Sequence, residues 1–153
     1  MDVKLVNPFI DAFTTVLPQM GFPTPQRTGM TVNDQNAVSQ GVAVIVGFTK
    51  EIRGNVVYNM SEDTAKFIAS TMMMGMPVEN FDEMAQSAIS EMSNMLTANA
   101  ATNLTALGLE VDISTPSLTV GTDFQIKISN EQYLCVVMDV SGHQVEIDIA
   151  VQQ

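Results

Sequence analysis

The sequence predicts an α+β domain: a mostly antiparallel sheet with two to three helices packed on one face. Two regions place apolar residues at helical spacing, one near the N-terminus and one in the middle of the chain. In the C-terminal third, residues 124–128 and 145–151 alternate apolar and polar side chains, the pattern of antiparallel strands with one fully buried face. With 153 residues, 46% of them hydrophobic, the chain suits one compact domain over residues 1–153.

Residues 3–20 read as the first helix. Phe9, Ile10, Phe13, Val16 and Leu17 fall on one face, and Asn7-Pro8 supplies an N-cap and a first-turn proline. Residues 21–40 are rich in Pro, Gly, Asn and Gln, and predict an irregular connection with one short edge strand around Met30 to Val32. Strands follow at 42–49 and 54–60, joined by the polar turn Lys50-Glu51-Ile52-Arg53. Ser61 opens a second helix with Glu62 and Asp63 at its positive end and Gly75 as its stop. Its buried stripe is Ala65, Ile68, Ala69, Met72 and Met73. The longest helix covers about residues 79–107 and closes on Gly108. Ser141-Gly142 is the tight turn of the last hairpin. Twelve methionines, several in the run Met72-Met73-Met74-Gly75-Met76, predict a malleable core.

Composition excludes several functions. The net charge of −11, with six scattered basic residues, argues against a nucleic-acid ligand, whose affinity needs clustered Lys and Arg. An acidic surface suits a partner with a basic patch. No run approaches eighteen apolar residues, so no membrane span is expected, and the opening segment lacks the shape of a secretory signal. Cys135, the only cysteine, lies among apolar neighbours and reads as a buried structural thiol. Together these features predict a cytoplasmic protein. His143 reads as a turn or strand-end residue; no metal-ligand spacing, phosphate-binding glycine loop or nucleophile–base pair is evident.

The long helix carries the candidate chemistry. At about 100° per residue, Ala85, Ile89, Met92, Leu96, Asn99, Asn103 and Leu107 form the core stripe. Glu83, Ser87, Glu91, Asn94, Ala98, Ala101 and Thr105 form the opposite face, polar in its first half and small in its second. Glu91 and Asn94 are i, i+3 neighbours and project side by side. Asn99 and Asn103 are unexpected on the core side; they either hydrogen-bond strand ends or line a dimer contact.

The segment from Ser87 through Glu91 to Asn94 resembles the signature of the CheC/CheX/FliY family: Asp or Ser, three residues, Glu, two residues, Asn. Pro116, downstream of Asn94, resembles the proline that follows this motif. The resemblance extends from Asn7-Pro8-Phe9 through the strand–helix unit ending at Gly75 to the segment after the long helix. It implies a single CheX-like phosphatase domain with the CheC-like fold. CheC-like members carry two motifs; here Asp11 and Thr14 stand where a second Glu and Asn belong. Threonine lacks the amide pair, so one site per chain is implied, as in CheX.

The resemblance further implies a substrate, the phospho-aspartate of a CheY-type response regulator, which holds its own Mg²⁺ and lysine. This chain is then expected to bind no cofactor itself. Asn94 would orient the attacking water, and Glu91 would pair with the regulator's lysine. Ala98 and Ala101 would admit the partner's backbone, although family helices often carry glycine near Ala98. Ser87 would cap, orient Glu91 or face solvent. A homodimer formed by joining sheets is also implied, with the one-sided C-terminal strands compatible with that role. Two alternatives remain: a non-catalytic interaction module akin to the flagellar-switch middle domains, and an unrelated dimeric or ligand-binding domain in which the motif is chance.

Overall fold

The computed structural model describes residues 3–153, and its architecture is the predicted α+β arrangement. After a short 3₁₀ turn, Val3–Leu5, come helix α1 (Asn7–Gln19), strands β1 (Gln26–Lys50) and β2 (Arg53–Ser61), and helix α2 (Glu62–Met72). Helix α3 (Glu83–Ala106) precedes β3 (Val111–Ile113), β4 (Ser117–Val140) and β5 (His143–Gln152). Every strand pairing is antiparallel.

The predicted irregular connection is overturned. Residues 26–40 belong to a 25-residue strand that runs without a break into the predicted strand at its C-terminal end. Its first half is polar and mostly exposed, so it lacks the alternation that marks a strand against a core. What it has instead is a partner of matching length: β4 follows it from Gln26 opposite Asp139 to Ile45 opposite Ser117, with three register shifts. Such bulges bend and twist a ribbon.

Because β1 and β4 are so long, each enters the sheet twice. The C-terminal half of β1 pairs with β2, β2 with β5, and β5 with the C-terminal half of β4. Pairing of β4 with β1 completes a circuit of four strands. β5 is therefore flanked by β2 along residues 145–152 and by β4 along 143–149, so of the C-terminal strands it is β4 that keeps a long open edge. The Ser141-Gly142 turn is as predicted, with positive φ at both residues, the geometry of a two-residue hairpin.

The helix-bearing face of the sheet holds the main core. Val44, Val46, Tyr58, Met60, Val136, Ile147 and Ile149 meet Phe9, Phe13, Leu17, Ile68, Ile89, Met92 and Leu96. The other face is not simply exposed. Ala37, Ile126, Ile128 and Tyr133 fold over Ala43, Val57, Cys135 and Ala150 in a second, smaller cluster. Asp148, read as a polar residue of the open face, is fully buried. The methionine reading also needs revision. Met60, Met92 and Met138 are core residues, whereas Met74 and Met76 of the methionine run are exposed between α2 and α3.

Local rules fix the helix ends. Ser61 caps α2 by accepting from the Thr64 amide at 3.1 Å, and Asp82 caps α3 by accepting from the Ala85 amide at 3.0 Å. α3 ends as predicted at Gly108, whose φ of +86° lets the Leu109 amide reach back to the Leu104 carbonyl at 3.1 Å. α1 differs: its N-cap is Val6, without a side-chain bond, and Asn7 is already helical.

The rotational setting of α3 is fixed from below. Ala85, Ile89, Met92, Ser93, Leu96, Thr97, Ala100 and Leu104 are buried, a stripe that drifts around the helix along its length. The predicted stripe keeps a single direction along the helix and so departs from the true one at its C-terminal end, where Leu107 is 58% exposed. Within the true stripe the Tyr58 hydroxyl lies 3.0 Å from Thr97 Oγ1. Thr97 itself donates to the Ser93 carbonyl at 2.7 Å, so the tyrosine is the donor between them. Burial pushes the Tyr58 phenol well above its ordinary pKa and keeps that donor protonated.

Removing either partner has unequal consequences. Tyr58→Phe leaves Thr97 bonded to Ser93 and is expected to cost about 1 kcal/mol. Thr97→Val strands a buried phenol and is expected to cost more, about 1–3 kcal/mol. Urea denaturation of the two variants checks the order; equal losses, or a larger loss for Tyr58→Phe, would contradict it.

Candidate docking and catalytic groove

Since α3 is anchored through its buried stripe, the opposite face must look outward. Ser87, Glu91 and Ala98 are exposed, while Asn94 and Ala101 are half-buried, all on that one face. The structure thus brings the five sequence-predicted site residues to a single helix surface. Among the described residues, none hydrogen-bonds the side chains of Glu91 or Asn94 within the chain. A carboxylate and an amide one turn apart are therefore available to an incoming molecule.

Beside them runs an open groove whose second wall was not predicted. Glu83, Ser87, Ser90, Glu91 and Asn94 line one side, and Ile113 to Pro116 with Leu118 line the other. Pro116, singled out in the sequence by its resemblance to the proline that follows the motif, lines the groove together with Asn94. The wall is held by β1. The Ser114 amide donates to the Gly47 carbonyl at 2.9 Å, and the Gly47 amide donates to Ser114 Oγ at 2.8 Å. A serine just beyond a three-residue strand carries no strong sequence signal, so Ser114 was not singled out.

Asn99 and Asn103, left open between two roles, find a partner within the chain. Asn103 Nδ2 donates to the Pro8 carbonyl at 3.0 Å and to Asn99 Oδ1 at 3.4 Å, joining α3 to the first turn of α1. On α1, Thr14 Oγ1 donates to the Ile10 carbonyl at 2.9 Å, so its hydroxyl is committed to its own helix. Asp11 is exposed.

The electrostatics of the groove restrict its chemistry. Its charged lining residues are Glu83 and Glu91, both acidic. A bare phosphate ion would be repelled, whereas a basic side chain or a metal-bound anion would be accommodated. Asn94 offers both an acceptor and two donors, but a neutral amide does not take up a proton near pH 7. The groove can bind, orient and polarise. Elsewhere, Cys135, Glu146 and Asp148 are the one group of three ligand-type side chains among the described residues, on the opposite face of the sheet.

Fold and groove together define a CheC-like protein. A CheC-like superfamily protein from Shewanella sp. PV-4 superposes with a TM-score of 0.88 at 24% identity, with both chains covered completely (100% each). A chain of the CheX–CheY–BeF₃–Mg²⁺ complex from Borrelia burgdorferi matches with a TM-score of 0.77 at 27% identity over 97% of each chain. The CheY-P phosphatase CheX of Thermotoga maritima is 34% identical over 128 residues, which are 83% of this chain and 82% of that protein. Residues 42–139 match the family described as chemotaxis phosphatase CheX. The chain belongs to that family.

Ser114→Ala removes the acceptor of the Gly47 amide at an exposed position and is expected to cost about 0.5–1.5 kcal/mol while loosening the Pro116 wall. Hydrogen exchange at the Gly47 amide should accelerate. Unchanged protection there would show that the wall is held by other contacts.

Proposed function

We propose that this protein is a phosphatase acting on the phospho-aspartate of a CheY-type response regulator, with α3 as the element that enters the regulator's active site. One observation carries the reading: Glu91 and Asn94 stand side by side on an outward helix face, with no partner of their own among the described residues. The CheY-P phosphatase CheX of Thermotoga maritima and the Borrelia burgdorferi CheX–CheY–BeF₃–Mg²⁺ complex support the choice of partner.

In this mechanism the regulator supplies the phosphoryl group, the Mg²⁺ and a lysine. Asn94 hydrogen-bonds a water and holds it for in-line attack on phosphorus. Glu91 pairs with the regulator's lysine and sets the register. Once the interface excludes water, that pair counts for more than an exposed ion pair. The small side chains of Ala98 and Ala101 let the regulator approach α3 closely, and Ser87 lies at the rim next to Glu91. The acidic groove matches a partner whose site is cationic. A pure interaction module would have no need of an unpartnered carboxylate and amide at this spot.

A substrate of this kind places the protein in the cytoplasm. The family resemblance also leads us to a homodimer joined through strand edges. Two stretches of edge are open for it: the outer side of residues 26–34 in β1 and that of residues 117–127 in β4. Met30, Val32, Val38 and Val120 are exposed apolar residues on these same two strands, which suits a second copy of the chain.

The test mixes the protein with a Mg²⁺-loaded phosphorylated receiver domain and follows phosphate release. Asn94→Ala should lower stimulated release roughly 10²- to 10³-fold, corresponding to about 3–5 kcal/mol, with binding largely retained. Glu91→Ala should weaken binding as well. Release that persists unchanged in the asparagine variant would defeat the mechanism.

A further inference from the structure

The face of the sheet away from the helices holds a second polar site. We propose that Cys135, Glu146 and Asp148 bind a divalent transition-metal ion of the zinc type, clamped between β4 and β5 beneath the β1–β4 ribbon.

The register builds the site. Cys135 lies directly opposite Asp148 across β4 and β5, and Glu146 is two residues before Asp148, so all three point to the same face. One ligand atom from each lies within 4.8 Å of the others. Zinc bonds of about 2.3 Å to sulfur and 2.0–2.2 Å to oxygen place tetrahedral donors about 3–4 Å apart, within reach of small side-chain adjustments.

Asp148 is the observation that calls for a ligand. Its residue is 0% exposed, and neither carboxylate oxygen accepts a hydrogen bond from an amide or hydroxyl; the polar groups beside it are the Glu146 carboxyl and the Cys135 thiol. A buried carboxylate is tolerated when it is paired, bonded or bound to a metal. The titratable groups facing it, Glu146 and Cys135, are themselves acidic, and Tyr133 lies nearby. The covering residues Ala37, Ile126 and Ile128 are apolar, as is Val57, opposite Asp148 on β2. Two carboxylates and a thiol thus meet in a buried, largely apolar setting, an arrangement that a bound cation would satisfy.

The surroundings are those of a metal site. Asn59 Nδ2 donates to Glu146 Oε2 at 3.3 Å, and Gln40 Nε2 approaches Oε1 at 3.5 Å, orienting the glutamate from outside. Asn59 is itself fixed by bonds with the Gln40 amide and the Val38 carbonyl, both 2.9 Å. One sulfur and two carboxylate oxygens favour zinc over magnesium or calcium, which take oxygen alone. Half-buried Glu146 and exposed Gln40 mark the way in. A metal here would tie β5 to β4 on the face that does not carry α3, so it stands apart from the proposed phosphatase chemistry.

The 153-residue chain, stripped with chelator and then dialysed against micromolar Zn²⁺, should retain about one zinc per chain by elemental analysis. Co²⁺ in its place should give a thiolate-to-cobalt charge-transfer absorption. Cys135→Ser should abolish that absorption, and both Cys135→Ser and Asp148→Asn should weaken zinc binding roughly tenfold or more. Circular dichroism confirms that the variants fold. The proposal is overturned if the protein retains no stoichiometric metal, which would leave a shared proton between Glu146 and Asp148. It is equally overturned if both variants keep the metal, which would place it on surface carboxylates or His143.

Discussion

A helix can present a chosen pair of side chains only if its rotation about its own axis is fixed, and in this protein that task falls to the buried side of α3. Ile89, Met92, Leu96 and Leu104 are each fully or almost fully buried, worth about 1.5–3 kcal/mol apiece. Apolar burial alone tolerates some rolling of a helix. The bond from Tyr58 to Thr97 does not, because a buried hydroxyl that loses its partner is penalised at once. Asn103 adds a second directional tether, to the first turn of α1. With those contacts made, Glu91 and Asn94 have nowhere to point but outward.

The strands serve the same end from a distance. The four-strand circuit of β1, β2, β5 and β4 provides a platform under α3. The C-terminal end of β1, paired with β2 and β3, carries Gly47 to the place where it holds Ser114. The groove is thus built from two parts of the chain with little intrinsic relation: a long helix and the turn that follows β3. Its acidic lining suits a partner whose docking surface is cationic. The opposite face has a different character, with a buried carboxylate and thiol under a polar ribbon. The sheet separates the two environments, so their chemistries are independent.

Much of this was legible in the residues. α2, the 50–53 turn and the final hairpin declare themselves through caps, period and turn chemistry and formed where those signals stood, as did the C-terminal end of α3. The start of α3 falls at Glu83 and not near residue 79, because Asp82 supplies the cap. The outward pair on α3 was legible for the same reason, because a period of about 3.6 residues places Glu91 and Asn94 away from Ile89 and Met92. The first half of β1 was not legible. A strand stabilised by a long partner rather than by a core shows no alternation, and its Gly, Asn and Gln residues imitate a loop. Asp148 was misread because alternation separates faces but does not report what later folds over them. Leu107 was misread because a stripe that drifts along a long helix defeats a fixed angular assignment.

The central claim is that the outward face of α3 enters the active site of an activated regulator. Amide NMR of the isotope-labelled protein, titrated with a Mg²⁺-loaded, beryllofluoride-activated receiver domain, tests it most directly. The account predicts that the Asn94 side-chain amide and the backbone amides from Ser87 to Ala101 shift together with those of Ser114 and Thr115. Shifts confined to the β1–β4 ribbon, with the Asn94 amide unmoved at saturation, would contradict it.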